Sequence, residues 1–195
     1  MNIIAHRGLL YGPDKILENT PAQVERALAA GFEVEVDVWF KMVPDDRPTT
    51  KVNHSSSRMV RSSWWLGHDE PQYEVTEAFL ARKGMWLHCK NVDALRHMRS
   101  EMHYFWHETD SYTLTSRGNI WCYPKKDVPH GCGAVIVLPE WSIDPEYDIA
   151  EALLSYYEAD FIDSICTDYG GAMMDTLDRL RREMKMKTAA EVMSK

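Results

Sequence analysis

Residues 33–38 read Glu-Val-Glu-Val-Asp-Val, and no other stretch restricts the fold as tightly. Side chains alternate across a strand. As a strand, this stretch sets Val34, Val36 and Val38 on one face and Glu33, Glu35 and Asp37 on the other. Three acids on one face repel, so water, a basic neighbour or a cation has to offset them. Taken alone, the stretch is equally well the wet face of an antiparallel strand. What argues for more is the rest of the chain, where other expected strands also finish in polar residues suited to phosphate chemistry.

The elements follow in order. Asn2 to His6 is a short apolar strand closed by Arg7-Gly8. Thr20-Pro21 starts a helix, with Thr20 as N-cap and Pro21 at the first helical position, and Gly31 ends it. The acidic strand comes next, so strand–helix–strand predicts a parallel pair. Residues 41–63, with Pro44, Asp45, Asp46, Pro48 and Ser55-Ser56-Ser57, read as a loop insertion. Its Lys41, Lys51, Arg58 and Arg61 suit either a solvated loop or a flap over an anionic ligand. Further strands are expected at Trp64–His68, Met85–Lys90, Met102–His107, Asn119–Tyr123, Ala134–Leu138 and Ser164–Asp168. Helices are expected at Val75–Arg82, Asp93–Glu101, Ile149–Tyr157 and from Gly170-Gly171 onward, with a frayed tail over 188–195.

Eight strands, most of them followed by a helix, predict a single (β/α)8 TIM barrel over 1–195 in which the helices after strands two, five and six are reduced or missing. An open parallel sheet is the alternative. The chain has 195 residues, short of the about 250 typical of that barrel, and the missing helices account for the difference. A net charge of −8 argues against a nucleic-acid surface. No run is long enough to cross a membrane, and Asn2–Ala5 is too short for the apolar region of a leader. Cys89, Cys122, Cys132 and Cys166 lack CxxC spacing and read as buried thiols of a reducing cytoplasm.

A barrel of this kind collects its chemistry at the C-terminal ends of its strands. Those ends are His6 and Arg7, Glu35 and Asp37, His68 and Asp69, His88 and Lys90, His107 and Glu108, Glu140, and Asp168. Two imidazoles can share acid and base work near neutral pH. Glu35 and Asp37, two apart on a strand, can grip a divalent cation, and Arg7 and Lys90 can hold a phosphate. Glu33 falls deeper and needs a buried partner such as Arg or Lys. Trp39, Trp65, Trp106 and Trp121 are candidate substrate platforms, although packing accounts for most Trp. His54, His97, His103 and His130 read as surface or structural.

Ala5-His6-Arg7-Gly8, Glu18-Asn19-Thr20, Glu35-Val36-Asp37-Val38, Gly67-His68-Asp69 and Lys90 occur in an order that resembles the glycerophosphodiester phosphodiesterases. These belong to a wider group of barrel phosphodiesterases that includes phosphatidylinositol-specific phospholipase C. The well-matched region covers roughly the first ninety residues. The resemblance implies His6 and His68 as the catalytic acid/base pair, Arg7 as a phosphate ligand, and Glu35 with Asp37 as ligands to a divalent metal such as Mg, Ca or Mn. It implies a small phosphodiester substrate of lipid metabolism, with a glycan- or lipid-linked diester as the variant. Three departures stand out. His88-Cys89-Lys90 replaces the family's Glu-x-Lys, so Lys90 fits but His88 stands in the place of a metal-binding glutamate and favours softer ions. The long 41–63 segment replaces a tight hairpin, and the aromatic second half is unlike the usual enzymes. A non-catalytic, phosphate-binding barrel with a degenerate metal site is the rival expectation.

Overall fold

The computed structural model describes residues 1–45, 60–124, 127, 129, 133–141, 156 and 162–193. Ten strands form one sheet among these residues. They are β1 (Asn2–Ala5), β2 (Glu33–Pro44), β3 (Val60–Leu66), β4 (Tyr73–Val75), β5 (Met85–Cys89), β6 (Tyr104–Phe105), β7 (Tyr112–Leu114), β8 (Ile120–Cys122), β9 (Ala134–Val137) and β10 (Ile162–Thr167). The helices are α1 (Pro21–Ala29), α2 (Glu77–Leu80), α3 (Val92–His97) and α4 (Gly170–Met193).

The centre of the sheet is parallel. Strand β1 lies between β10 and β2, β5 joins β2, β6 joins β5, and β9 and β8 extend the other side, all in the same direction. Both faces are apolar, as a parallel sheet covered on both sides requires. Period-two alternation sorts the side chains. Ile3, Val34, Val36, Val38, Leu87, Ile136 and Ile165 face outward and pack with Val24, Ala27, Leu80, Ala94, Met173 and Leu177 of the helices. Ile4, Trp86, Phe105, Trp121, Val135, Val137 and Cys166 face inward and fill the concave side of the curled sheet. The valines of the acidic strand therefore lie against the helices and its acids on the inside.

Helix starts follow local chemistry. The Thr20 hydroxyl accepts from Gln23 N at 3.3 Å with Pro21 in the first turn, Thr76 caps α2 through Phe79 N at 3.1 Å, and Asn91 caps α3 through Ala94 N at 2.9 Å. Gly31, at φ 91°, follows the end of α1. Helix α4 continues to Met193, into the stretch expected to fray.

The expected closed, all-parallel (β/α)8 barrel is not what forms. The sheet is mixed, and its edges carry antiparallel pairs: β2 with β3, β3 with β4, and β7 with β8. The stretch 64–68 was expected as a parallel core strand. Instead β2 runs on to Pro44 and turns back, so that 60–66 pair antiparallel with 38–44. Val38 marks the handover: it is in register with Cys89 of β5 and with Leu66 of β3. Both ends of the 41–63 insertion are strand, with Lys41 on β2 and Arg61 on β3 paired to Glu74, and the expected loop residues Asp46, Pro48 and Ser55-Ser56-Ser57 lie outside the described residues. Lys51 and Arg58 lie outside the described residues, as does most of the helix expected at Ile149–Tyr157. Only four helices cover the sheet among the described residues. No strand ladder joins β6 to the β7–β8 edge among them; Ser116 N donates to Tyr104 O at 2.8 Å and Tyr104 N to Ser116 Oγ at 3.0 Å instead.

Cys89 and Cys166 are buried thiols, Cys122 is buried, and Cys132 lies outside the described residues. Among the described residues no helix is long and apolar enough to cross a membrane. Gly67, at φ 147°, opens the turn of the β3–β4 hairpin, where a Cβ would lie 2.0 Å from Glu70 O. Strain and clash both predict that Gly67→Ala loses roughly 3 kcal/mol in urea unfolding. Wild-type stability in that variant would show that the turn is not needed to hold the hairpin.

Candidate functional site

Because the central strands are parallel, their C-terminal ends meet at one rim. Ala5 of β1 leads into a 3₁₀ turn, His6–Gly8; β2 brings Glu35 and Asp37, β5 brings His88, and Lys90 and Asp168 follow β5 and β10. In register, Asp37 sits beside His88 and Glu35 beside Trp86, so all four share the inner face. The rim encloses a cavity of about 260 Å³ lined by His6, Arg7, Glu35, Asp37, His68, His88 and Lys90 on one side. The expected catalytic, phosphate-binding and metal-binding residues thus border one cavity, whereas Asp69, Glu140 and Asp168 do not line it. Of the four Trp platforms, Trp106 and Trp121 line it, whereas Trp39 and Trp65 pair across the β2–β3 hairpin. His107 and Glu108 also line it. His103 is buried against Thr115, His97 is exposed, and His54 and His130 lie outside the described residues.

Asp37 is the most heavily contacted group. Asn19 Nδ2 donates to its Oδ2 at 2.9 Å, and its own N–H donates back to Asn19 Oδ1 at 3.0 Å. Arg7 Nε lies 3.1 Å from Oδ2, while His88 Nδ1 and Lys90 Nζ lie 3.1 and 3.5 Å from Oδ1. Burial alone would raise the Asp37 pKa, but the His88 hydrogen bond and the charges of Arg7, His88 and Lys90 hold it far below the carboxylate range. Glu35 is the contrast. Its Oε2 accepts from Arg7 N at 3.2 Å and its Oε1 is 3.8 Å from His88 Nδ1. Burial and then the Asp37 charge raise its pKa.

His6 is buried, and its Nδ1 lies 2.7 Å from Asp168 Oδ1. That contact fixes the tautomer and leaves Nε2 facing Glu35 Oε2 at 3.9 Å. Burial pulls the His6 pKa down, yet the Asp168 hydrogen bond and the Glu35 charge outweigh it and the net shift is upward. His68 is half-buried, with Nδ1 2.6 Å from Asp69 Oδ1; burial lowers its pKa. The two expected acid/base residues are therefore shifted in opposite directions.

Glu35, Asp37 and His88 each offer a ligand atom, all within 4.8 Å of one another and all buried. This group could bind a metal ion. Two observations fit a cation there. Glu35 and Asp37 are both buried at this point, and the Asp37 charge raises the Glu35 pKa, a repulsion that a cation would relieve. In addition, His88 Nε2 lies 3.2 Å from His107 O, which can only accept, so Nε2 carries the proton. Nδ1 then faces the two carboxylates, the usual orientation of a metal-binding histidine backed by a carbonyl. His107 stacks on His88 at 4.5 Å, and burial with the His88 charge pushes its pKa down to about 4.

Sequence reasoning missed three contributors. Asn19 was read as part of a helix start, yet it is fully buried and grips Asp37. Its φ of 59° and its N–H bond to Arg7 O explain why an Asn, tolerant of the left-handed region, precedes the Thr-Pro cap. Glu18 holds Arg7 Nη1 at 2.8 Å. Glu140, a rim residue in sequence, accepts from Asp168 N and Thr167 Oγ1, both at 2.9 Å, and so braces the partner of His6. Glu33 does not find the expected cation; Trp86 Nε1 donates to it at 2.7 Å. Arg7, Asn19 and Leu138, the three non-glycine residues of positive φ among the described residues, all lie at this rim.

Comparison with protein-family models, with characterised proteins and with solved structures gives no match to this chain.

Asn19→Ala leaves the Asp37 N–H and one carboxylate oxygen without their partner, and each such loss costs about 1–3 kcal/mol. A fall of about 3 kcal/mol in urea unfolding is expected, and an unchanged midpoint would show that water replaces the amide. For the metal-free protein, NMR titration of His6 should give a pKa above the ordinary 6.5. A raised histidine pKa stabilises the fold below the unfolded pKa, and that contribution is lost as pH rises through the folded pKa. Asp168→Asn should lower the His6 pKa and flatten this limb; an unmoved titration would separate Asp168 from His6.

Proposed function

We propose that this protein is a metal-dependent phosphodiester hydrolase, acting on small phosphodiesters. The observation that carries the reading is the convergence of Glu35, Asp37 and His88 with Arg7, Lys90, His6 and His68 on one cavity. A cation-binding carboxylate group, two fixed positive charges and two imidazoles of opposite pKa shift are what phosphoryl chemistry needs.

Glu35, Asp37 and His88 would hold a divalent ion, Mg, Ca or Mn, which supplies Lewis-acid polarisation of a phosphate oxygen when bound. Arg7 and Lys90 bind the anionic phosphoryl oxygens and neutralise charge developing there. Glu18 and Asp37 aim the Arg7 guanidinium. One of His6 and His68 removes a proton from the attacking hydroxyl and the other protonates the leaving alkoxide. Asp168 holds the His6 ring with Nε2 toward the cavity. The order of residues along the first ninety positions, which resembles the glycerophosphodiester phosphodiesterases, supports the same chemistry.

A second reading, a non-catalytic module that grips phosphorylated ligands, draws on the engagement of Asp37. Asn19, Arg7, His88 and Lys90 already meet that carboxylate, and His88 replaces a charged ligand with a neutral one.

Turnover of bis-p-nitrophenyl phosphate, with Mn, Mg and Ca supplied in turn, separates the two. Hydrolysis is expected, abolished by a chelator and reduced about 10²–10⁴-fold in His6→Ala and in His68→Ala. The pH–rate profile should be bell-shaped, with one limb lost in each variant. Activity that survives the chelator, or that is unchanged in both variants, refutes the hydrolase; phosphate binding without turnover leaves the module. His88→Glu should move the preferred ion toward Ca or Mg relative to Mn, since it adds a hard anionic oxygen.

A further inference from the structure

The cavity has a second half that the chemistry above leaves unused. Opposite the polar residues it is walled by Trp106, Trp121, Tyr123, Val137, Leu138 and Trp141. Rings run from the metal-binding group into this wall. His88 stacks on Phe105 at 5.0 Å and Phe105 on Trp121 at 4.3 Å; His107, stacked on His88, meets Tyr123 edge-on at 6.1 Å. A group attached to a phosphate held by Arg7 and Lys90 therefore shares its cavity with an aromatic surface.

The wall has little left to offer a polyol. Trp106 O accepts from Thr113 Oγ1 at 2.8 Å, and His107 O faces His88 Nε2. Leu138 N donates to Cys166 O and Leu138 O accepts from Trp141 N. Trp121 is buried and its strand is paired on both sides. Among the described residues the polar groups on that half are the side chains of Tyr123, Glu108 and His107 and the indole N–H groups of Trp106, Trp121 and Trp141. A glycerol or sugar there would trade part of its hydrogen bonds to water for contact with carbon, which costs binding. An alkyl chain or aryl ring loses nothing and gains burial. Trp141, 54% exposed on a 3₁₀ turn at the mouth, is an apolar side chain positioned to close over such a group. The small volume, at the low end for ligand pockets, suits a phosphate with one short or flat substituent.

We propose that this wall is a specificity subsite that selects phosphodiesters bearing an apolar alkyl or aryl substituent over those bearing glycerol or a sugar. The inference rests on the phosphodiester reading for the location of the phosphate, but it concerns the opposite wall and has its own readout.

Calorimetric titration of the Mn-loaded full chain with methyl, propyl, pentyl and phenyl phosphate, glycerol 1-phosphate and glucose 1-phosphate measures it without catalysis. Dissociation constants should fall about threefold per added methylene, somewhat under the about fourfold of complete burial. Phenyl phosphate should match pentyl, and the glycerol ester should bind no tighter than methyl. Trp141→Ala, at an exposed position, should reduce the pentyl-to-methyl preference at least threefold. A flat series, no binding by any monoester, or tighter binding of glycerol or glucose phosphate than of pentyl phosphate overturns the inference. Turnover of methyl and pentyl p-nitrophenyl phosphodiesters is read alongside. Graded binding with no turnover refutes hydrolysis and keeps the subsite; turnover at equal kcat/KM with flat binding refutes the subsite and keeps hydrolysis.

Discussion

Asp37 is the contact on which the rim depends. A buried carboxylate without partners would be expelled or protonated, so its burial obliges other groups to gather. Asn19 comes from the loop before α1, Arg7 from the turn after β1, His88 from β5 and Lys90 from the residue beyond it. Three pieces of chain are thus tied to one side chain. Two of them are held in left-handed backbone, Arg7 at 52° and Asn19 at 59°. Such strain persists only where surrounding structure fixes it, and here the fixing contacts are those to Asp37, Glu18 and Glu35.

The sheet makes that gathering possible. Parallel strands deliver their C-terminal ends to the same side, so residues far apart in sequence, His6 and Asp168 above all, become neighbours. Alternation then decides which of them face the cavity. Val34, Val36 and Val38 anchor β2 to the helical layer, and that anchoring turns Glu35 and Asp37 inward. A one-residue slip would bury the acids against the helices. The apolar face of the strand therefore sets the register of its chemistry.

Much of this was legible because it is local. The strand Glu33–Asp37, the Thr20-Pro21 helix start and the polar endings of β1, β2 and β5 are written in periods and caps that neighbouring residues determine. What was not legible is pairing. Nothing in Lys41-Met42-Val43 or Val60-Arg61 says that these residues pair with each other, and so the stretch at 64–68 was taken for a core strand and the sheet for a closed barrel. Side-chain partners across the chain were equally hidden. Asn19 carries no local sign that it grips Asp37, and Glu33 met an indole N–H from Trp86 where charge alone had suggested a cation. Residue type stated what each group needed; only the topology decided who supplied it.

The histidine at position 88 shows how far one side chain carries. Its Nε2 faces the carbonyl of His107, an atom that only accepts, so the proton belongs there. Its Nδ1 then lies 3.1 Å from Asp37 Oδ1. Two lone pairs do not rest that close without something positive between or upon them. Either Nδ1 also carries a proton, and the ring is an imidazolium paired with Asp37, or a metal ion shares the lone pairs with Glu35 and Asp37. A glutamate at 88 would leave the first option to the solvent and add a third negative charge to the site. With histidine, a proton and a metal ion would compete for the same atom, so binding of an ion there would be tied to the release of a proton. That coupling follows from the stacking of His88 against Phe105 and His107, which fixes the ring plane and with it the atom turned toward the acids.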